Sequence, residues 1–217
     1  GRGELTEFLV PLVGKVITVE KDPELIPFLK EKFKNRKNVK IIPGDILKLI
    51  PYILNLKPGY KIVANLPYYI TSHFLRTFLE RKKRPKLMVL MVQYEVAKRI
   101  CAKPPEMSLL ALSIQSYGLT KFIRKVSRGN FAPPPKVDSA VIKISGISDK
   151  WFRKNKISEK RFFEILRRAF QQKRKMLRQS LKNYPGHSSV KFSGRLLTKR
   201  PQELSLGQWL EIYKTIS

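Results

Sequence analysis

Through about the first two thirds of the chain, short apolar runs alternate with amphipathic stretches, and this alternation restricts the fold more than any other feature. Lys15–Glu20 reads K-V-I-T-V-E, short and β-branched, which is strand chemistry. Asp22–Lys34 carries Leu25, Ile26, Leu29 and Phe33 at helical spacing. Val39–Ile42 is a second strand, stopped by Pro43-Gly44, and Lys61–Asn65 a third. Ser72–Glu80 reads as a helix that turns Phe74, Leu75, Phe78 and Leu79 inward. Lys86–Val92 is apolar on both faces, as a central parallel strand would be. Two helices, Glu95–Ala102 and Leu109–Tyr117, come next. Two more strands, Lys121–Ser127 and Ser139–Ser145, flank the proline-rich Ala132-Pro133-Pro134-Pro135. Strand–helix alternation predicts an α/β fold, a parallel sheet with helices on both faces.

From about Asp149 the strand pattern stops. Ser158 can cap a helix running to about Lys182, with Phe162, Leu166, Phe170, Leu177 and Leu181 as its apolar stripe. Its other faces carry Arg161, Arg167, Arg168, Lys173, Arg174, Lys175, Arg178 and Lys182. A second helical segment, Ser205–Ile216, closes the chain. The expected division is an α/β domain over 1–148 and a small helical domain over 149–217. The charge agrees with a polyanionic partner. Lys and Arg number 45 against 16 Asp and Glu, a formal net charge of +29. Such an imbalance repels itself in a compact chain, so nucleic acid is the first candidate and an anionic membrane the second. A solvated charged face is the usual explanation of such a helix, but nine basic residues to two acidic ones in Ser158–Lys182 weaken it and fit phosphate contact. For Arg81-Lys82-Lys83-Arg84, a solvated turn is preferred over an RNA contact.

Several classes of chemistry are excluded. Cys101 is the one cysteine, and His73 and His187 are the two histidines, so neither an internal disulfide nor a metal cluster is expected. Cys101 reads as a small buried hydrophobe and not a nucleophile. The longest clear apolar run, Leu87–Val92, is far too short to span a membrane, and no signal peptide is seen. The protein is expected to be soluble, cytoplasmic and monomeric.

In parallel sheets, ligands bind at the carboxyl ends of the strands. Gly1-Arg2-Gly3 precedes a helix, where glycines let backbone amides approach a ligand. Glu20 ends a strand and can accept both hydroxyl hydrogens of a ribose. Asp45, after Gly44, can accept the exocyclic amine of an adenine. Singly, each is as readily a solvated strand end; in order along adjacent strands, they suit one adenosine-containing ligand. The strongest signal is Asn65-Leu66-Pro67-Tyr68-Tyr69. An sp² exocyclic amine is a poor nucleophile because its lone pair is delocalised into the ring. The Asn65 side-chain oxygen and the Leu66 carbonyl can accept its two hydrogens and point the lone pair at an electrophilic methyl. Pro67 has no N–H to offer, and Tyr68 can stack on the base, as extruded bases usually need.

Asn65-Leu66-Pro67-Tyr68 resembles the fourth motif of amino-methyltransferases acting on adenine N6. Asn130-Phe131-Ala132-Pro133-Pro134-Pro135-Lys136-Val137-Asp138-Ser139-Ala140-Val141 resembles the eighth motif of one subgroup, the rRNA adenine N6,N6-dimethyltransferases. This is the family of the KsgA-type small-subunit rRNA methyltransferase and its archaeal and eukaryotic counterparts. Gln93–Arg99 and Phe170–Arg178 resemble the same family, and the likeness covers nearly the whole chain.

The resemblance implies a Rossmann-like class I methyltransferase sheet with a small C-terminal helical, rRNA-binding domain. It implies S-adenosylmethionine as cofactor, with Gly1, Gly3, Glu20, Lys21, Gly44, Asp45, Ile46 and Asn65 around it. Glu20 would hold the ribose, Lys21 and Ile46 flank the adenine, and Asp45 bind its amine. Within the catalytic motif Asn65, Leu66, Pro67 and Tyr68, Asn65 and the Leu66 carbonyl would bind the target N6, and Tyr68 and Phe131 would sandwich the base. Arg167, Arg168, Lys173, Arg174, Lys175 and Arg178 would contact rRNA. The implied reaction is methylation of two adjacent adenines near the 3′ end of small-subunit (16S-type) rRNA, with the small ribosomal subunit as partner. The family's first strand and the start of its Gly-rich loop are expected to be missing, since the chain opens inside that loop. Two alternatives stand beside this reading. One is a large-subunit rRNA adenine N6-methyltransferase conferring macrolide resistance; the other is a non-catalytic ribosome-assembly factor. A DNA adenine methyltransferase usually carries an acidic residue where Asn65 stands.

Overall fold

The computed structural model describes residues 1–49, 59–172, 174–182, 184 and 194–216. Two compact units make up the chain, Gly1–Lys57 and Pro58–Ser217.

In the first unit, α1 (Glu4–Leu9) runs into a 3₁₀ turn, Val10–Leu12, and then into β1 (Val16–Glu20), α2 (Leu25–Lys32) and β2 (Val39–Pro43). The strands pair in parallel, Val16 opposite Val39 and Glu20 opposite Pro43, with α2 as the crossover that parallel pairing requires. The apolar spacing of α2 is used as the sequence suggests: Leu29 and Phe33 are buried with Val10 and Val16. Gly3 caps α1 with φ 82°, and a Cβ there would lie 2.8 Å from the Phe33 ring and 2.9 Å from Leu29. Backbone conformation and packing therefore both demand glycine.

The second unit opens with β3 (Lys61–Asn65), a 3₁₀ turn at Tyr68–Ile70 and α3 (Thr71–Leu79). Next come β4 (Leu87–Gln93), α4 (Tyr94–Ile100), α5 (Leu109–Gln115), β5 (Leu119–Val126) and β6 (Ser139–Ser145). Its sheet has the order β3-β4-β6-β5. Only β3 and β4 are parallel; β6 runs antiparallel to both β4 and β5. The all-parallel expectation fails here for a local reason. Between β5 and β6 stands a 3₁₀ turn, Arg128–Asn130, and no crossover helix, so the chain returns alongside the strand it has just left. The centre of the sheet is as apolar as the sequence suggests: Met88, Leu90 and Val92 of β4 are fully buried, as are Ala140, Ile142 and Ile144 of β6.

Helices complete the unit: α6 (Lys150–Asn155), α7 (Glu159–Gln171), α8 (Leu177–Ser180), α9 (Gly194–Leu197) and α10 (Leu206–Ile216). The single helix expected from Ser158 to Lys182 is thus two. Gln172 leaves helical geometry at φ −122°, ψ 50°. The Leu177 N–H then donates to the Lys199 carbonyl, 2.9 Å away, in place of a bond within its own helix. The apolar four-residue spacing also lapses between Phe170 and Leu177. Ser158 caps α7 as anticipated, accepting the Arg161 N–H.

Candidate functional site

Parallel pairing brings the first group of anticipated residues together at the carboxyl ends of β1 and β2. The Gly44 N–H donates to the Glu20 carbonyl at 2.7 Å, carrying the ladder one residue beyond β2. Gly44 takes φ 134°, a conformation side-chain-bearing residues rarely adopt. The chain then turns on Asp45, whose Oδ1 accepts the Leu47 N–H at 2.9 Å while Oδ2 lies 3.2 Å from the Lys21 ammonium. The Leu47 N–H, then Lys21, hold the Asp45 carboxyl below its ordinary value. Glu20 folds back on its own turn, Oε1 accepting the N–H groups of Lys21 and Asp22 at 2.8 and 3.0 Å. Burial opposes the Glu20 charge, whereas the Asp22 and Lys21 N–H groups favour it. Ile46, which follows Asp45 in the chain, is half-buried. Gly1, Gly3, Glu20, Lys21, Gly44, Asp45 and Ile46 therefore belong to one compact unit. It presents ionised acceptors at two adjacent strand ends.

The second group gathers at one edge of the second unit's sheet. Asn65 ends β3, exposed, opposite Met91 of β4. Leu66 is buried, and its N–H extends the ladder to the Met91 carbonyl at 3.2 Å. Among the described residues, neither the Asn65 side chain nor the Leu66 carbonyl has a hydrogen-bond partner. Pro67, at φ −55° and ψ 132°, starts the 3₁₀ turn that carries Tyr68. The Tyr68 hydroxyl and Ser139 Oγ share a hydrogen bond of 2.8 Å, fixing the half-buried ring to the first residue of β6. Because β6 is antiparallel to β4, the loop before Ser139 emerges at the same edge as Asn65. That loop carries Phe131, half-buried and extended at φ −120°, ψ 147°.

The sequence did not single out what secures this loop. Asp138 accepts the Arg128 N–H at 3.0 Å and pairs with Lys125 at 2.8 Å, while its carbonyl accepts the Tyr94 N–H. Lys125 and Arg128 hold the Asp138 carboxyl below its ordinary value. A carboxylate inside a proline-rich turn, ten residues after a possible N–H partner, is the one signal that was present.

The basic helix divides by role. Arg167 and Arg168 on α7, with Arg174, Lys175 and Arg178 beyond it, are exposed; Lys173 lies outside the described residues. Arg161 instead donates to the Ile216 carbonyl at 2.6 Å, tying α7 to α10. Arg84 belongs neither to a solvated turn nor to an exposed basic patch. Its side chain is only 10% exposed and reaches Glu159 at 3.3 Å and Asp149 at 3.6 Å. It also covers the Tyr117 ring at 5.0 Å, and the Tyr117 hydroxyl donates to Glu159 at 2.8 Å. Burial, then the Glu159 hydrogen bond, push the Tyr117 phenol well up, so it stays protonated. Cys101 is half-buried, with burial raising its thiol pKa, which leaves it a poor nucleophile. Among the described residues no cluster of three or more His, Cys, Asp or Glu can hold a metal ion, and no helix is long and apolar enough to cross a membrane.

The chain is similar to known proteins over its whole length. The profile of the family described as Ribosomal RNA adenine dimethylase matches residues 1–217. Ribosomal RNA small subunit methyltransferase A of Dehalococcoides mccartyi is 44% identical over 219 residues, spanning 98% of this chain and 75% of that protein. The protein of the same name from Clostridium botulinum is 41% identical over 186 residues, 84% of this chain and 67% of its own length. The crystal structure of a dimethyladenosine transferase from Plasmodium falciparum has a TM-score of 0.81 at 25% identity, covering 98% of this chain and 85% of that one. That of the 23S rRNA methyltransferase ErmE has a TM-score of 0.76 at 23% identity, covering 100% and 87%, a likeness in fold. With its sheet, its Asn65–Tyr68 turn and a family profile matched from end to end, this α/β chain belongs to the ribosomal RNA adenine dimethylase family.

Proposed function

We propose that this chain transfers methyl groups from S-adenosylmethionine to N6 of two adjacent adenines near the 3′ end of small-subunit rRNA, as a step in small-subunit biogenesis in the cytoplasm. The observation that carries the reading is Asn65 at the end of β3, exposed beside the Leu66 carbonyl, with Tyr68 anchored next to it. The 44% identity to a small-subunit methyltransferase favours that target over large-subunit rRNA.

The cofactor residues fit S-adenosylmethionine by the chemistry of their acceptors. Glu20 and Asp45 are both ionised at neutral pH and sit at adjacent strand ends, suited to a ribose diol and an adenine amine. Glu20 would hold the ribose, Asp45 would accept the adenine amine, and Lys21 and Ile46 would flank the ring. When bound, the cofactor supplies a methyl activated on a sulfonium. Asn65 and the Leu66 carbonyl accept the two N6 hydrogens of the target adenine and orient its lone pair. Tyr68 and Phe131 hold the base between them. Orientation supplies most of the rate, and the proton lost from the methylated amine passes to water. Residues 149–217 act as the rRNA-binding domain, with Arg167, Arg168, Lys173, Arg174, Lys175 and Arg178 on phosphates.

The test compares the wild type with Asn65→Ala, using radiolabelled S-adenosylmethionine and immature small subunits, and then maps N6-dimethyladenine. Label in adjacent adenines near the 3′ end of the small-subunit rRNA, lost by at least about two orders of magnitude in the variant, supports the assignment. Label in large-subunit rRNA alone moves the protein to the resistance branch. Tight subunit binding without any label leaves an assembly factor.

A further inference from the structure

We propose that α3 and the turn before it form a track for single-stranded RNA. Tyr69 stacks on the nucleotide next to the target adenine, and the groove along Ser72–Arg81 takes the phosphates beyond it. The proposal rests on the reading that this chain acts on rRNA and adds a binding element to it.

Two consecutive tyrosines share one 3₁₀ turn with opposite fates. Tyr68 is half-buried and tied to Ser139, whereas Tyr69 is 80% exposed. A lone exposed aromatic is ordinary on a protein surface, but Tyr69 sits on the turn that leads into α3, whose exposed side forms a polar groove. Ser72, His73, Arg76, Thr77, Glu80 and Arg81 line this open groove of about 500 Å³. They recur at three- and four-residue intervals beginning three residues after Tyr69, which is one stripe of a helix. The other face of α3 is spoken for: Phe74, Leu75, Phe78 and Leu79 are each no more than 2% exposed. The groove therefore faces solvent and carries two guanidinium groups against one carboxylate. That carboxylate, Glu80, is only loosely engaged by Arg76 at 3.8 Å. Burial, with a smaller push from Glu159, raises its pKa against the pull of Arg76 and of Arg167.

This chemistry defines the occupant. A row of cations and hydroxyls selects a phosphate backbone. An open aromatic face at its head selects unpaired bases, because a duplex keeps its base faces stacked inside. Asn65 and Tyr68, immediately before the track, are proposed to hold an extruded adenine, so the strand leaving that adenine is single here.

The test measures anisotropy of a labelled single-stranded oligoadenylate and of a duplex RNA of equal length, with the full chain at several salt concentrations. Tyr69→Ala is expected to weaken the single strand about tenfold, Tyr69→Phe to bind as wild type, and neither to change the duplex. Arg76→Ser with Arg81→Ser should make the single-strand salt slope shallower by about 1.4. Wild-type affinity in Tyr69→Ala, or equal weakening of single strand and duplex, overturns the track. Asn65→Ala separates the two readings. If methyl transfer is absent from wild type and variant alike while Tyr69→Ala still loses the single strand, the methyltransferase reading falls and the track stands. If Asn65→Ala abolishes transfer while Tyr69→Ala binds and methylates as wild type, the track alone falls.

Discussion

Arg84 shows how far one side chain's role can depart from its sequence neighbourhood. Within Arg-Lys-Lys-Arg it reads as one of four solvated cations, yet it is nearly buried between Asp149, Glu159 and Tyr117. Removing one partner of such a cluster leaves the others desolvated without compensation. Arg84→Met should cost about 2 kcal/mol, discounted because both carboxylates remain about one-third exposed. Urea unfolding of Arg84→Met, Glu159→Gln and the double variant measures it; strictly additive losses would mean that the pair is not coupled. At Ser139 the expected effect is smaller. Ser139→Ala removes one hydrogen bond from Tyr68, about 1 kcal/mol, and should reduce methyl transfer by loosening the ring. Unchanged stability together with unchanged transfer would count against Ser139 as the anchor. The position of Asn65, by contrast, was legible from sequence: an apolar run ending before Leu-Pro-Tyr reads as a strand, and Asn65 is its last residue.

Among the elements, α7 is the one whose sequence and structure agree most closely over its own length. Phe162, Ile165, Leu166 and Ala169 are buried on one side, and Arg167 and Arg168 are exposed on the other. Phe162→Ala should cost about 3–5 kcal/mol, since the ring is fully buried among Trp151, Phe152 and Tyr213. Ser158→Ala should cost about 0.5–1 kcal/mol, the cap bond being long at 3.4 Å. Thermal melts that rank the two variants in the reverse order would refute this account of the helix. Where α7 ends was not legible. The basic residues after Gln171 are good helix formers, and the stop is set by a partner more than twenty residues away, the Lys199 carbonyl that takes the Leu177 N–H. The same holds for strand direction. Six short strands were readable one by one, but the antiparallel return of β6 between β4 and β5 is a pairing choice that leaves no mark in either strand's pattern.

Over the whole molecule, charge governs how stability and binding respond to solution conditions. Asp45 has a depressed pKa in the folded chain, so its stabilising contribution is complete above the ordinary aspartate value of 3.8 and is lost as pH falls through its lower folded value. The stability difference between wild type and Asp45→Asn should therefore stay constant from about pH 7 to 5 and shrink only in stronger acid. A difference that already fades near pH 6 would show that Asp45 is not the group responsible. At +29, the chain should bind small-subunit rRNA with a steep salt dependence. Replacing Arg167, Arg168 and Arg178 by serine should make that slope shallower by about three, whereas replacing the engaged Arg161 should mainly lower stability. Sequence alone determined the α/β class, the family, the partner's charge and the Asn65–Tyr68 turn. These reside in periodicity, composition and contiguous motifs, all of which are local to the chain. Tertiary structure alone decided which cations are exposed, what anchors Tyr68 and the Phe131 loop, and how β6 enters the sheet. Each of those depends on a partner distant in sequence, and the pairing energy belongs to neither residue by itself.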